Sequence, residues 1–500
     1  MKRIPYFHII TVYLLCIALI PVSRAQQQSG APYRMTLEQV IELAQSDAPD
    51  VLLAKTRYAT NYWTYQSFLA NYKPQIDLEA TFPNLNRSIE PITLPSGEDE
   101  FINRSLMRNS LNISMSQNVA ATGGTIFAST GLQRIDVFET SFVGAGKSYL
   151  STPISVGFIQ PLFAYNELKW DKLIDPIAFN EAKQSYSEEI EETAFNATQY
   201  FFDVLTAQLN AEASEREKAN ADTLLEIGRG RYSVGKIAET ELLQLELGSM
   251  KSEAALASAQ LEVQTSMEAL RNFLGIKEAL VFDLVTPDEI PDFEMEAQEA
   301  LKWAHQNRSI TQSFRRRLAE AERDIARAEG ERFNIDIFGR LGLTQTGSTI
   351  SSVYQNPLDQ EQVRIGINMP IADWGKAKAK LEIAKSMKEL TELNVELEKV
   401  NFERQILIKV QQFELVKNQV VLATKTYEAA QKQFDLTQKR YLIGKIGITE
   451  LNLAVSEREG ARQGYVSALQ KYWFAYYEMR GLTLYDFEKK QPLVVDVPDY

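Results

Sequence analysis

The residue types that usually perform chemistry are scarce in this 500-residue chain, and none is suitably spaced. Histidine occurs at His8 and His305, and cysteine only at Cys16. A protein zinc site needs three or four clustered ligands, so no metal site is readable. Val143-Gly-Ala-Gly-Lys-Ser148 ends as a phosphate-binding loop ends. That loop requires another glycine with four residues between it and Gly146. Ser141 stands there, and no helical pattern follows. Carboxylates are plentiful, but they follow the surfaces of helical stretches, where they are ordinarily solvated. A net charge of −13 gives no support for nucleic-acid binding. Nothing points to an enzyme or a cofactor.

The informative chemistry is a turn that occurs twice. Arg231-Tyr-Ser-Val-Gly-Lys-Ile-Ala-Glu-Thr-Glu-Leu242 recurs as Arg440-Tyr-Leu-Ile-Gly-Lys-Ile-Gly-Ile-Thr-Glu-Leu451, an offset of 209. The same offset carries Pro161 onto Pro370, Tyr165 onto Trp374 and Arg271 onto Arg480. Such spacing marks a duplicated architecture. Gly235 and Gly444 suit the left-handed residue that ends a helix. Arg231 and Arg440 complement the carbonyl end of a helix dipole, and Glu241 and Glu450 its amino end. Turn chemistry alone does not require the Arg-Tyr and Lys-Ile pairs that flank the glycine in both copies.

Long helices must position these turns. Ile190, Ala194, Ala197, Phe201 and Val204 step by threes and fours, as do Val420, Ala423, Tyr427, Ala430 and Phe434. The pattern predicts helices of about sixty residues over 166–228 and 375–441, the first with Pro176 as a possible kink. Shorter return helices follow over 237–273 and 446–480. Further helices are expected over 36–72 and 296–333, related by an offset near 259. The two offsets differ by fifty residues, so the first copy holds an insertion, read as an added hairpin. Between helices, Ile76, Leu78, Ala80 and Phe82 alternate with Asp77, Glu79 and Thr81. Leu111, Ile113 and Met115, then Ile154, Val156 and Phe158, then Val363, Ile365 and Ile367 alternate likewise. Strands with one apolar and one polar face suit a half-buried sheet or a membrane barrel.

Lys2 and Arg3, an apolar run over 9–20, and Ser23-Arg24-Ala25 read as a cleaved export signal at 1–25. Losing Lys2, Arg3 and Arg24 takes the charge from −13 to −16. Cys16 would leave with it; Leu15 before it disfavours lipidation. The division expected is a first repeat at 26–290, a second at 291–485 and a loosely packed tail at 486–500, with 275–293 linking the copies. Phe163, Tyr165, Trp170 and Trp374 cluster past the last strands, either as an interfacial girdle or as core.

The duplicated helix–strand–strand–long-helix–turn–helix order, the leader and the Arg-Tyr-x-Val/Ile-Gly-Lys-Ile turn together resemble the TolC-like outer-membrane efflux proteins of Gram-negative bacteria, over about 36–485. The resemblance implies a mainly α fold with membrane β-strands. Three protomers would form a β-barrel in the outer membrane and a long α-helical barrel in the periplasm. It implies lipid around the barrel, and a periplasmic adaptor and an inner-membrane pump as partners, serving efflux or type I secretion. The adaptor would meet Arg231, Val234, Gly235, Lys236, Arg440, Ile443, Gly444 and Lys445. Glu450 would belong to a carboxylate ring at a closed periplasmic mouth, with Tyr441 and Glu241 as tethers. Leu453 and Ile446 replace a second ring carboxylate and a gate arginine. Family members usually contribute two strands per copy, so this chain's barrel has an open strand number. The rival reading is a periplasmic coiled-coil adaptor or scaffold, which needs no lipid-facing band.

Overall fold

A computed structural model describes residues 33–93, 96–138, 144–287 and 289–493. The expected leader with Cys16 lies outside them, as do Ser141, Val143 and the end of the tail. The chain begins β1 (Tyr33–Met35), α1 (Leu37–Asp47), α2 (Pro49–Ala70). Four long strands follow: β2 (Gln75–Thr93), β3 (Asp99–Val119), β4 (Gly124–Val137) and β5 (Gly146–Leu162). Then come α3 (Glu167–Ser233), α4 (Glu239–Leu274) and β6 (Phe282–Leu284). The second copy runs α5 (Ala297–Asn307), α6 (Ser309–Gly330), β7 (Asn334–Gly347), β8 (Leu358–Asn368), α7 (Lys376–Leu442) and α8 (Ile448–Thr483). It closes with β9 (Tyr485–Asp486) and β10 (Gln491–Pro492).

The repeat is metrically close. α3 and α7 each have 67 residues, and α4 and α8 each have 36. At 1.5 Å per residue, 67 residues span about 100 Å. α3 stays helical through Pro176. The helices expected over 36–72 and 296–333 are each broken in two. Ala48 is extended (ψ 144°) because the residue before a proline avoids the helical region, and Pro49 starts α2. The second break has no proline. Arg308 is extended (ψ 138°), its guanidinium donating to the Gly481 carbonyl at 2.7 Å. The Ser309 N–H donates to Glu188. Tertiary bonds set that corner, so local spacing did not show it. Thr36 starts α1 with a reciprocal cap: its hydroxyl accepts from the Gln39 N–H, and the Gln39 side chain accepts from the Thr36 N–H. α4 covers the tip-ward part of α3, and α2 the part nearer the sheet.

Six strands form one antiparallel sheet in the order β2-β3-β4-β5-β7-β8. The 259 offset maps β2 onto β7 and the 209 offset maps β5 onto β8, so β3 and β4 are the added pair. They leave and re-enter at the same end of the sheet. Pairing puts Ile76 beside Met115, Leu78 beside Ile113, Val156 beside Leu341 and Ile337 beside Ile365. The opposite face pairs Asp77 with Ser114, Ser129 with Ser155 and Arg340 with Gln362. Pro153, which has no N–H to donate, falls inside the β5 register shift between Ser151 and Ile154.

The main core lies where the helices meet. Val40, Ala44, Phe201, Leu270, Ile406, Phe413, Leu469 and Tyr472 are buried there. The 275–293 segment that links the copies includes β6, which pairs in parallel with β1 (Tyr33 opposite Phe282). One sequence expectation fails in this region. The tail is not loose at its start. β9 pairs with β10, Tyr485 stacks on Trp303 at 4.5 Å, and Asp486 and Phe487 are buried. Arg480 donates to Glu191 at 3.0 and 3.2 Å and to Asp486 at 3.3 Å. This triad, with both carboxylates buried, ties α3 to the end of α8. No helix of the described residues is long and apolar enough to cross a membrane.

Candidate functional site at the helical tips

Both tips use the same backbone device. Gly235 has φ +72°, its N–H donating to Tyr232 at 2.9 Å, while Lys236 N–H reaches back to Arg231 at 2.9 Å. Gly444 has φ +75°, with Gly444 N–H to Tyr441 at 2.9 Å and Lys445 N–H to Arg440 at 3.0 Å. These paired bonds satisfy the last helical carbonyls and require a left-handed residue. A Cβ on either glycine would meet nothing within 4 Å, so only the backbone angle demands glycine. Val234, Lys236, Ile443 and Lys445 are exposed, leaving an apolar and cationic cap on each turn.

The two tips are packed against each other unequally. Tyr441 is 2% exposed, whereas its repeat counterpart Tyr232 is 42% exposed. The Arg231 guanidinium lies 5.4 Å from the Tyr441 ring centroid, so the first hairpin covers the tyrosine of the second. Burial pushes the Tyr441 hydroxyl above its ordinary pKa; Arg231 opposes the shift and Glu241 adds to it. Tyr441 and Arg231 therefore form one contact between the two hairpins. Tyr441 packs with Leu245, Phe434, Ile448, Leu451 and Ala454 in a second apolar cluster. Ile446 is partly buried against it, and Leu453 is exposed.

Glu450 is exposed in the first turn of α8. Its Oε2 lies 3.1 Å from where a Cβ on Gly447 would sit, so the carboxylate leans toward the helix start. Gly447 offers no capping side chain, and the acid complements the exposed N–H groups. Sequence reasoning missed the lock further along the hairpins. Arg458 lies 3.9 Å from the Phe434 ring centroid, and Arg462 donates to Glu459 at 2.9 Å and to Asn210 at 2.8 Å. The Arg458, Glu459 and Arg462 spacing along α8 was the readable signal.

The four aromatics past the last strands do not form one group. Phe163 (φ +62°) and Trp374 (φ +54°) are exposed, Trp374 at 98%, beside the equally bare Ile371. Trp170 is half-buried. Tyr165 instead packs over Gly330, with the Arg327 guanidinium 5.1 Å from its ring. The loop-like Gly144–Ser148 stretch enters β5, where Lys147 and Ser148 pair with Asp136 and Ile135. His305 sits 3.1 Å from Glu403 and edge-on to Phe402, a local structural setting. Among the described residues, no group of histidine, cysteine, aspartate or glutamate could hold a metal.

The outer membrane efflux protein family model matches residues 125–276 and 303–482, one stretch in each repeat and together well over half the chain. The chain belongs to that family, a family of transport channels in the outer membrane rather than of enzymes. The first matched stretch starts in β4, leaving β2 and β3 outside it. Among solved structures, the Campylobacter jejuni CmeC outer membrane channel is 15% identical, with a TM-score of 0.63 over 92% of this chain and 87% of that one. The Vibrio cholerae outer membrane protein VceC is 12% identical, with a TM-score of 0.61 over 90% of this chain and 95% of that one. The fold is therefore that of the TolC-like channels. No curated protein matches the chain.

Proposed function

We propose that this outer-membrane efflux channel works as the exit duct of a tripartite export system. Three chains close one tube, with the sheets in the outer membrane and the helical hairpins in the periplasm. The two repeats, 26–290 and 291–485, then act as equivalent wall segments, and the leader at 1–25 directs export. One observation carries this reading: a two-faced sheet, apolar at Ile76, Leu78, Val363 and Ile365 and polar at Asp77, Ser114 and Arg340, is continuous with equal 67-residue helices. The apolar face suits lipid, and the polar face a wet lumen. Phe163 and Trp374 lie where the sheet gives way to helix and suit the bilayer interface.

The exposed tips at Arg231–Lys236 and Arg440–Lys445 are the seats for a periplasmic adaptor, which couples the duct to an inner-membrane pump. At rest the tube is shut at this end. Tyr441, held by Arg231 and Glu241, keeps the hairpins together, and three Glu450 carboxylates face one another near the axis. Selectivity follows bore and luminal charge. The rival adaptor or scaffold has no use for the apolar sheet face. Membrane fractionation with native mass measurement tests the proposal. An outer-membrane trimer whose removal stops dye export is expected; a monomer free in the periplasm would end this reading.

A further inference from the structure

The sheet has two free margins, the outer sides of β2 and β8, and each of these strands pairs with a described strand on its inner side only. Bare strand margins leave rows of N–H and C=O groups unsatisfied, which hydrocarbon does not tolerate. Something must cover both margins in the membrane. We infer that β2 of one copy pairs with β8 of the next, so that three copies of the six-stranded sheet close an eighteen-stranded barrel. The inference rests on the trimeric reading above and goes beyond it in strand number and in the contact that closes the ring.

Four features select this occupant. With an even number of alternating strands, β2 and β8 run in opposite directions, so the next copy continues the antiparallel ladder. The apolar faces also continue. Ile76 and Leu78 on β2 and Val363, Ile365 and Ile367 on β8 are all exposed, and the pairing through the sheet puts them on one side. The polar sides are complementary in charge. β2 offers Asp77 and Glu79. β8 offers Arg364, which is exposed and rests 5.2 Å from the Phe338 centroid. Finally, both strands are long enough to span. β2 has 19 residues, with a register shift between Thr81 and Asn84, and β8 has 11. A membrane strand needs about 9–11 residues.

Bore grows with strand number, and barrels of about 16–18 strands leave an aqueous channel. On this inference the outer-membrane end of the duct is an open, water-filled mouth suited to bulky cargo. Control of passage then falls to the helical tips.

Cysteine pairs test the contact in the full-length protein in its membrane, because Cys16 is the only native cysteine. Leu78→Cys is combined in turn with Val363→Cys, Ile365→Cys and Ile367→Cys and oxidised. Leu78→Cys with Ile154→Cys, in mid-sheet, is the control. One β2–β8 combination should convert most of the monomer band into covalent trimer, with the control unchanged. An electron cryomicroscopy map of the particle should show eighteen strands. A trimer with no β2–β8 crosslink in any register, or with twelve wall strands and β3–β4 folded aside, overturns the inference. Absence of a trimer overturns the assembly on which it rests.

Discussion

The Arg231 guanidinium lies 5.4 Å from the Tyr441 ring centroid, joining the tip of one hairpin to the last turn of the other. The contact is built from non-equivalent positions of the repeat. Arg440 and Tyr232, the counterparts, are both exposed. A partly exposed cation–ring contact is worth about 0.5–1 kcal/mol. Arg231→Gln should therefore raise resting open probability by roughly two- to five-fold in planar bilayers, with trimer yield unchanged. An unchanged resting conductance would reduce the contact to packing.

Gly444 has φ +75° and open space around its Cα hydrogens. Gly444→Val should cost about 1–2 kcal/mol of local strain and impair export while the trimer still inserts. Gly444→Asn, which visits this backbone region more readily, should retain most export. Dye accumulation assays compare the two. Equal loss in both variants would move the cause from backbone angle to surface blockage.

Glu450 tests the mouth. Like charges held close in a narrow pore repel one another and attract cations. Glu450→Ala should weaken the block of single-channel current by divalent cations added from the periplasmic side. As a helix-start acid alone, its loss would cost about 0.3–1 kcal/mol locally and leave cation block untouched.

Arg480 is the ion-pair partner of the buried Glu191. Arg480→Met leaves a buried carboxylate unpaired and should cost about 3–5 kcal/mol. Glu191→Gln combined with Arg480→Met should recover much of that loss. Heat dissociation of the trimer measures the cycle, and additive losses would show that the two side chains act independently.

Burial first, and then the nearby Glu459 carboxylate, hold the Glu217 carboxyl above its ordinary 4.5. A carboxyl raised in the folded state contributes stability that is complete below the unfolded pKa and is lost as pH rises through the folded one. Wild type should thus lose heat stability between pH 4.5 and neutrality. Glu217→Gln should flatten that slope and be the more stable form at pH 7.5. Parallel melting curves for the two proteins would refute the assignment.

Periodicity made the long helices and two-faced strands legible, and a repeat offset exposed both the hairpin tips and the added strand pair. Local pattern could not show what remote partners decide. The bend at Arg308 depends on the Gly481 carbonyl, and the β1–β6 pairing joins segments nearly 250 residues apart. The packing of Tyr485 depends on Trp303. At the tips, glycine and its neighbours were readable because a left-handed turn restricts residue type. Which of Tyr232 and Tyr441 is covered was not, since both follow an arginine in the same motif.

Equal helix lengths with unequal tips carry a consequence for stoichiometry. A body that docks on the turn finds two near-identical seats per chain, at the same distance from the sheet, so a three-chain ring presents six. A signal transmitted through the covered tyrosine has only one address per chain, and so three. Recognition and release can then follow different symmetries on one surface. Half of the docking events would fall beside a tyrosine already free, and only the other half would bear on the lock.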